Sequence, residues 1–194
     1  AAMLTSLPNL LTLARVAVIP VIVALLYMPT AWSNWASWAA LVIYALAAFT
    51  DWLDGFLARR MGEVSPLGRF LDPVADKLLV TAVIVALMAK GSIGEITALP
   101  ALVILCREIL VSGLREYMAE IQVGMPVSKL AKWKTATQML ALALLIVAPA
   151  TPWGYSPLLA GKVLLWVAGV LTVITGWDYL SKGLEHMRVR HPAE

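Results

Sequence analysis

Runs of about 20 apolar residues recur along the chain and are separated by short polar stretches. About 20 helical residues cross a hydrocarbon core, so each run is long enough to span a membrane. The runs are continuous rather than alternating, which excludes the strands of a membrane barrel. We therefore predict an all-α integral membrane protein with six transmembrane helices. The predicted spans are roughly 9–28, 36–59, 69–90, 96–120, 127–149 and 157–181.

Composition supports this class of protein. Of the 194 residues, 61% are hydrophobic and 14% are charged, whereas about 25% of the residues in soluble domains are charged. No strong internal repeat, low-complexity segment or linker divides the sequence. We therefore predict a single transmembrane domain over residues 1–194.

Basic residues are distributed unequally between the connections. The stretches 28–35 and 149–157 contain no Lys or Arg, whereas 59–69 contains three and 115–134 contains four. Cytoplasmic loops carry such an excess of basic residues. We therefore predict that both termini, 59–69 and 115–134 face the cytoplasm.

Four of the five aspartates fall within residues 51–76, in a chain where carboxylates are costly. Asp51 and Asp54 are three residues apart and share one face of the second span, and Asp72 and Asp76 share one face of the third. Counted at about 1.5 Å per residue from the short connection, both pairs lie about 6 to 12 Å inside the membrane. If the two faces meet, the carboxylates form one cluster near the cytoplasmic boundary.

Such a cluster cannot remain fully ionised alone, because like charges and burial both disfavour the carboxylate form. A hard divalent cation bound by oxygen ligands resolves the repulsion, and four carboxylates suffice for two metals that assist transfer at a phosphate. The alternative from spacing alone is a proton or cation pathway lined by acids.

The same segment resembles the signature of the CDP-alcohol phosphotransferase family, D-x2-D-G-x2-A-R-x8-G-x3-D-x3-D. Its eight fixed positions are all present, in a stretch of 26 residues: Asp51, Asp54, Gly55, Ala58, Arg59, Gly68, Asp72 and Asp76. The family's six-helix architecture also agrees with the span count. The resemblance implies that a CDP-linked lipid is bound and that an alcohol replaces CMP.

The resemblance further implies a role for each motif position. The four aspartates would hold two metals, usually Mg²⁺ with Mn²⁺ as the alternative, and Asp76 would also be the general base. Gly55 and Gly68 would leave room for the cytidine and diphosphate, and Ala58 and Arg59 complete that site. The "PN…T…R" stretch lies beside the nucleotide-lipid site in the family, which makes Asn9, Thr12 and Arg15 candidates. A simple helix start with an interfacial arginine explains them equally well.

The fourth span contains a further group of charges. Arg107 is costly in a membrane unless it is paired, and with Arg115 and a lysine, Lys132 or Lys134, it could surround an acceptor phosphate. The structural alternative is a pair between Glu108 and Arg115, which are seven residues apart and share a face, whereas Glu108 points about 100° away from Arg107.

The longer pattern resembles the branch of this family whose acceptor is sn-glycerol 3-phosphate. "PNLLTLARV", "FLDPVADK", "REILVSGLREYMAE" and "KWKTATQM" carry this resemblance. The implied partners are CDP-diacylglycerol, sn-glycerol 3-phosphate, membrane lipid and a second copy of the chain in a homodimer; no nucleic-acid partner is expected. The alternatives are a sister enzyme that uses inositol phosphate, serine or phosphatidylglycerol, a membrane prenyltransferase, and a cation transporter.

Overall fold

The computed structural model describes the chain over residues 7–29, 33–61, 66–125, 128–152 and 156–190, and these residues are almost entirely helical. Their side chains are described except at 7–9, 51–61, 66–70, 72, 73 and 188–190. The helices are α1 (Leu7–Leu26), α2 (Ser33–Met61), α3 (Pro66–Ala89), α4 (Glu95–Glu120), α5 (Lys129–Val147) and α6 (Ser156–Arg190), with a 3-10 turn (Ala148–Ala150) after α5. Each helix overlaps one of the six predicted spans, and the number of membrane crossings remains a prediction.

Three of the described helical segments are long and apolar enough to cross a membrane: Glu95–Glu120, Lys129–Ala150 and Ser156–Met187. In α1 the shorter apolar stretch Leu10–Leu26 is present as well. Large apolar side chains also cover the outside of these helices, for example Ile96 at 78% exposure and Ile109 at 74%. In water such a surface would be unfavourable, so these helices indicate an integral membrane protein.

The described chain divides into two compact units. The first consists of Ala1–Ile93 and Leu142–Leu159, and within it α1 packs against both α2 and α3. The second consists of Gly94–Ala141 and Ala160–Glu194, which contain α4, most of α5 and most of α6. The prediction of one domain over 1–194 remains a prediction.

In the second unit, α4 and α6 run parallel and meet along a seam of glycines. A Cβ atom placed at Gly169 would lie 2.7 Å from Pro100 Cβ, and one placed at Gly183 would lie 2.8 Å from Leu114 Cδ1. Between them, a Cβ at Gly176 would lie 3.1 Å from Arg107 Cγ. The glycines at 169, 176 and 183 therefore receive the side chains at 100, 107 and 114, one every seven residues. A shared seven-residue spacing is the repeat that keeps two supercoiled helices in register.

Two helix ends use left-handed backbone geometry. α3 is followed by Gly91, whose φ is +77°, a conformation that glycine adopts without steric cost. α4 ends in a Schellman motif, in which the amide of Val123 donates to the carbonyl of Met118 at 2.8 Å and the amide of Gln122 donates to that of Ala119 at 3.0 Å. Gln122 takes the left-handed position with a φ of 61°.

Helix α6 continues to Arg190, whereas the predicted sixth span ends near residue 181. The extra turns carry polar contacts along the helix: Lys182 Nζ lies 3.0 Å from Asp178 Oδ1, and His186 Nδ1 lies 2.7 Å from the Lys182 carbonyl oxygen. Asp178, the aspartate outside the predicted cluster, therefore has an ordinary surface partner. Hydropathy marks where apolar character ends, but the helix itself persists beyond that point.

Candidate active site

Helix α1 buries a polar pair in the first unit. Thr12 and Arg15 are 0% and 2% exposed, and both take part in polar or electrostatic interactions. They are three residues apart, on the face that Ile22 and Leu26 continue into the apolar part of the helix. An arginine that only marked the membrane interface would extend towards water, whereas Arg15 is buried.

The buried faces of α2 and α3 lead directly to the aspartate positions. On α2, Tyr44 and Ala47 are buried, and a helix that continues unbroken to Met61 places positions 51 and 54 on the same face, one and two turns further on. On α3, Ala75 and Leu79 are buried on either side of Asp76, which is itself partly buried and takes part in a polar or electrostatic interaction. Asp76 thus lies within the packed face of its helix, which Val80 and Val83 continue.

Most of the predicted metal and nucleotide site lies outside the described side chains. Asp76 is the aspartate of the motif whose side chain is described. Among the side chains that the structure describes, no three His, Cys, Asp or Glu residues converge as a metal site. The predicted residues whose side chains lie outside the description are Asn9, Asp51, Asp54, Gly55, Ala58, Arg59, Gly68 and Asp72.

The second unit contains a buried network of charges centred on Glu108. Its Oε1 atom accepts a hydrogen bond from Arg107 Nη1 at 3.3 Å and another from the ammonium of Lys134. Lys134 is 3% exposed, and the side chains of Arg107 and Glu108 are 13% and 21% exposed. Two cationic side chains thus converge on one carboxylate in a largely dehydrated place. Cationic donors that lie this close together suit the binding of an anion.

Two residues of helix α6, Thr175 and Tyr179, also contact the guanidinium of Arg107. Its Nη2 atom donates to Thr175 Oγ1 at 3.4 Å, and its guanidinium carbon lies 5.5 Å from the centre of the Tyr179 ring. This distance is within the range of a cation–π interaction. Thr175 Oγ1 also donates to the Leu171 carbonyl at 2.8 Å, so the group that receives the guanidinium is itself held by the helix.

Some buried polar atoms around this network have no hydrogen-bond partner among the described residues. Arg107 Nε is buried and has no hydrogen-bond partner within the described part of the chain. The same holds for Gln138 Oε1, one turn from Lys134 on α5, and for Thr172 Oγ1, one turn from Thr175 on α6. Buried polar atoms normally have partners, so a polar ligand or water would satisfy these three atoms.

The structure separates the predicted acceptor residues into two groups. Arg107 and Lys134 converge on Glu108, whereas Lys132 is exposed. Arg115 is also exposed and lines an open pocket with Gln122, Gly124 and Met125. The alternative pairing of Glu108 with Arg115 is wrong, because Glu108 pairs with Arg107 and Lys134 instead. Arg107 and Glu108 leave the helix in directions about 100° apart. Their charged ends still meet, because both side chains are long enough to bend towards each other.

Sequence reasoning missed the contribution of α6 to this network. Thr175, Gly176 and Tyr179 carry no charge and belong to no motif of the prediction. A signal did exist, because glycines recur at 169, 176 and 183 in α6. That spacing identifies a contact face but not its partner, since nothing local indicates that α4 packs there.

A comparison of the whole chain with known families decides where it belongs. The sequence model of the CDP-alcohol phosphatidyltransferases matches residues 5–174. The chain belongs to the CDP-alcohol phosphatidyltransferase family. The matched region contains every predicted site residue of this CDP-alcohol phosphatidyltransferase, including Arg107 and Lys134, and ends just before Thr175.

Curated relatives in this CDP-alcohol phosphatidyltransferase family are similar along nearly their whole length. A protein of Rickettsia typhi is 44% identical over 176 residues, which are 91% of this chain and 96% of the relative. A protein of Pseudomonas fluorescens is 44% identical over 188 residues, 94% of this chain and 92% of the relative. One of Salmonella typhimurium is 44% identical over 178 residues, 91% and 93% of the two chains. All three are named CDP-diacylglycerol–glycerol-3-phosphate 3-phosphatidyltransferase.

Proposed function

We propose that the protein is a phosphatidylglycerophosphate synthase. It transfers the phosphatidyl group of CDP-diacylglycerol to sn-glycerol 3-phosphate and yields phosphatidylglycerol phosphate and CMP. The observation that carries this proposal is 44% identity, along more than nine-tenths of both chains, to relatives whose name states this reaction. A basic, largely buried network that suits a phosphate-bearing acceptor supports it independently.

The acceptor's phosphate is bound by Arg107 and Lys134. The guanidinium offers planar, multidentate hydrogen bonding and the ammonium a point charge, a combination suited to phosphate. The convergence of two cationic side chains in a largely buried place supports this role. Arg115 and Lys132, both exposed, contribute at most to attracting the anion from water.

The four aspartates of the motif hold the divalent metal, with two Mg²⁺ ions as the proposed content and Mn²⁺ as the substitute. Carboxylate oxygens are the donors that these hard ions select. The register of α2 and α3, which continues the buried faces to positions 51, 54 and 72 and includes Asp76, supports this set. When bound, the metals neutralise charge that develops on the diphosphate.

Asp76 acts as the general base. Its carboxylate accepts the proton of the acceptor's free primary hydroxyl, whose oxygen forms a bond to the lipid-bearing phosphorus. The bond from that phosphorus to the bridging oxygen of the diphosphate breaks, and CMP leaves. When the acceptor is held by its phosphate, its hydroxyl attacks a phosphorus that is bound in the same site. The step is then effectively unimolecular, which lowers the entropic part of the activation barrier.

The CDP-lipid is bound by Gly55, Ala58, Arg59 and Gly68 of the motif and by Asn9, Thr12 and Arg15 of α1. The burial of Thr12 and Arg15, on a helix that packs against α2 and α3, supports the assignment for α1. We propose that the protein is a homodimer of the bacterial inner membrane, with its termini and active site facing the cytoplasm. The distribution of Lys and Arg supports this orientation.

The test is release of CMP by the detergent-purified protein. CDP-diacylglycerol and Mg²⁺ are supplied with sn-glycerol 3-phosphate, inositol phosphate, serine or phosphatidylglycerol in parallel. Release with sn-glycerol 3-phosphate alone, abolished by a chelator and restored by Mg²⁺, is the expected result. Release with a different acceptor would identify a sister enzyme. With a prenyl diphosphate and its acceptor supplied in a further tube, inorganic pyrophosphate as product would instead indicate prenyl transfer.

A further inference from the structure

The side chain of Arg107 lies against one turn of α6 along its whole length. Its stem faces Gly176, where a Cβ atom would come to 3.1 Å from Arg107 Cγ. Its guanidinium then reaches the hydroxyl of Thr175 and the ring of Tyr179. We call Thr175, Gly176 and Tyr179 the α6 clamp. Each member meets a different part of the same side chain: the stem, one terminal nitrogen and the face of the guanidinium.

This arrangement has a physical consequence for anion binding. An arginine side chain loses rotamer entropy when it is fixed, and a guanidinium that is already fixed binds a phosphate without that cost. Glu108 accepts from Nη1 and Thr175 accepts from Nη2, so the plane of the guanidinium is defined from two helices. The orientation of Arg107 therefore depends on α6, whose clamp residues carry no charge.

We propose that the α6 clamp positions the Arg107 guanidinium and thereby sets the protein's affinity for a phosphomonoester acceptor. The inference rests on the proposed function, in which Arg107 binds the acceptor's phosphate. It adds positioning residues on α6 that lie beyond the region matched to the family, residues 5–174. A methyl group at 176 would displace the arginine stem by a few tenths of an ångström, so glycine there lets the stem lie in its observed place.

The experiment measures steady-state CMP release by the full-length detergent-purified protein with the Gly176→Ala change. A guanidinium displaced by tenths of an ångström keeps its hydrogen bonds to a phosphate but weakens them, so the KM for sn-glycerol 3-phosphate should rise about fivefold. The KM for CDP-diacylglycerol should stay unchanged. Inorganic phosphate, used as a competitive inhibitor, should lose affinity by the same factor, because it probes the anion site without the glycerol.

Gly183→Ala is the matched control on the same seam. Its new methyl group would meet the flexible end of Leu114, 2.8 Å away, rather than a charged side chain. Both variants should lose some thermal stability, but only Gly176→Ala should change the acceptor KM. A second pair tests the hydroxyl: Thr175→Val should raise that KM, and Thr175→Ser, which keeps the acceptor oxygen, should restore it.

The possible results separate the two proposals. No CMP release by the wild-type protein with sn-glycerol 3-phosphate would refute the proposed function; binding of inorganic phosphate, measured by calorimetry on the same variants, would then decide the role of the clamp. A wild-type acceptor KM in Gly176→Ala, or equal increases in both substrates' KM in Gly176→Ala and Gly183→Ala, would overturn the inference. If Gly176→Ala fails to fold, the Thr175→Val and Thr175→Ser pair gives the answer.

Discussion

At the scale of single residues, the charged side chains of this protein differ sharply in their surroundings. Asp76 is partly buried within a packed helix face, whereas the side chain of Asp178 is 43% exposed and paired with Lys182. Lys134 is almost fully buried, while Lys132, two residues earlier on the same helix, is exposed. Asp178 can therefore serve as the control for substitutions at Asp76, and Lys132 as the control for substitutions at Lys134.

Replacing Asp76 by Asn should abolish most of the turnover and preserve the fold. The amide keeps the size of the carboxylate but cannot accept the acceptor's proton, and general base catalysis contributes about 10² to 10⁴ in rate. CMP release should therefore fall at least about a hundredfold, with CDP-diacylglycerol binding retained. Asp178→Asn should remain near wild type. Normal turnover by the Asp76→Asn protein would remove this residue as the base.

Removing the Lys134 ammonium should affect the acceptor selectively. Hydrogen bonds to charged groups contribute about 1.5 to 3 kcal/mol, and about 1.4 kcal/mol corresponds to a factor of ten. Lys134→Ala should therefore raise the KM for sn-glycerol 3-phosphate at least about tenfold, and Lys132→Ala should raise it much less. Equal effects of the two changes, measured by CMP release, would mean that burial at Lys134 does not mark the phosphate site.

At the scale of helices, the turn after α3 and the middle of α4 place glycine in opposite backbone conformations. Gly91 has a φ of +77°, whereas Gly113 lies inside α4, and a Cβ atom would meet nothing within 4 Å at either position. Gly91→Ala should therefore destabilise the protein by about 1 kcal/mol, and Gly113→Ala should stabilise it by about 0.5 kcal/mol. Thermal unfolding in detergent measures both, and a gain of stability in Gly91→Ala would contradict the assigned turn.

The bounds of the helices could be predicted closely from the sequence, because long apolar runs alternate with stretches rich in Gly, Pro or charge. The end of α6 could not, since the helix continues through polar residues such as Lys182 and His186 after the apolar run has finished. In the site, the motif made Asp76 a candidate and the charge pattern made Arg107 a candidate, and their roles stay predictions. The pair of Arg107 and Glu108 escaped prediction because the angle between adjacent positions takes no account of side-chain length. The contact between Arg107 and Thr175 escaped prediction because it forms only when α4 packs against α6.

At the scale of the whole molecule, the distribution of basic residues makes a definite prediction about orientation. Single cysteines are introduced at exposed Asn34 and Glu185 after Cys106→Ser removes the native thiol. In intact cells a membrane-impermeant maleimide should label Asn34→Cys and leave Glu185→Cys unlabelled until the cells are opened. Labelling of Glu185→Cys alone would mean the reverse orientation, and labelling of both would contradict the predicted crossing of the membrane.

The glycine seam between α4 and α6 has a consequence for how the protein responds to membranes of different thickness. If α4 slid along α6, then Pro100, Arg107 and Leu114 would leave the glycines and meet residues that carry a Cβ. The three side chains would face the seam glycines again only after a shift of seven residues, about 10 Å. We therefore expect α4 and α6 to tilt together rather than shear when the bilayer thins or thickens. The depth of Arg107 relative to α6 then stays constant, so lipid composition should alter the acceptor KM less than it alters thermal stability.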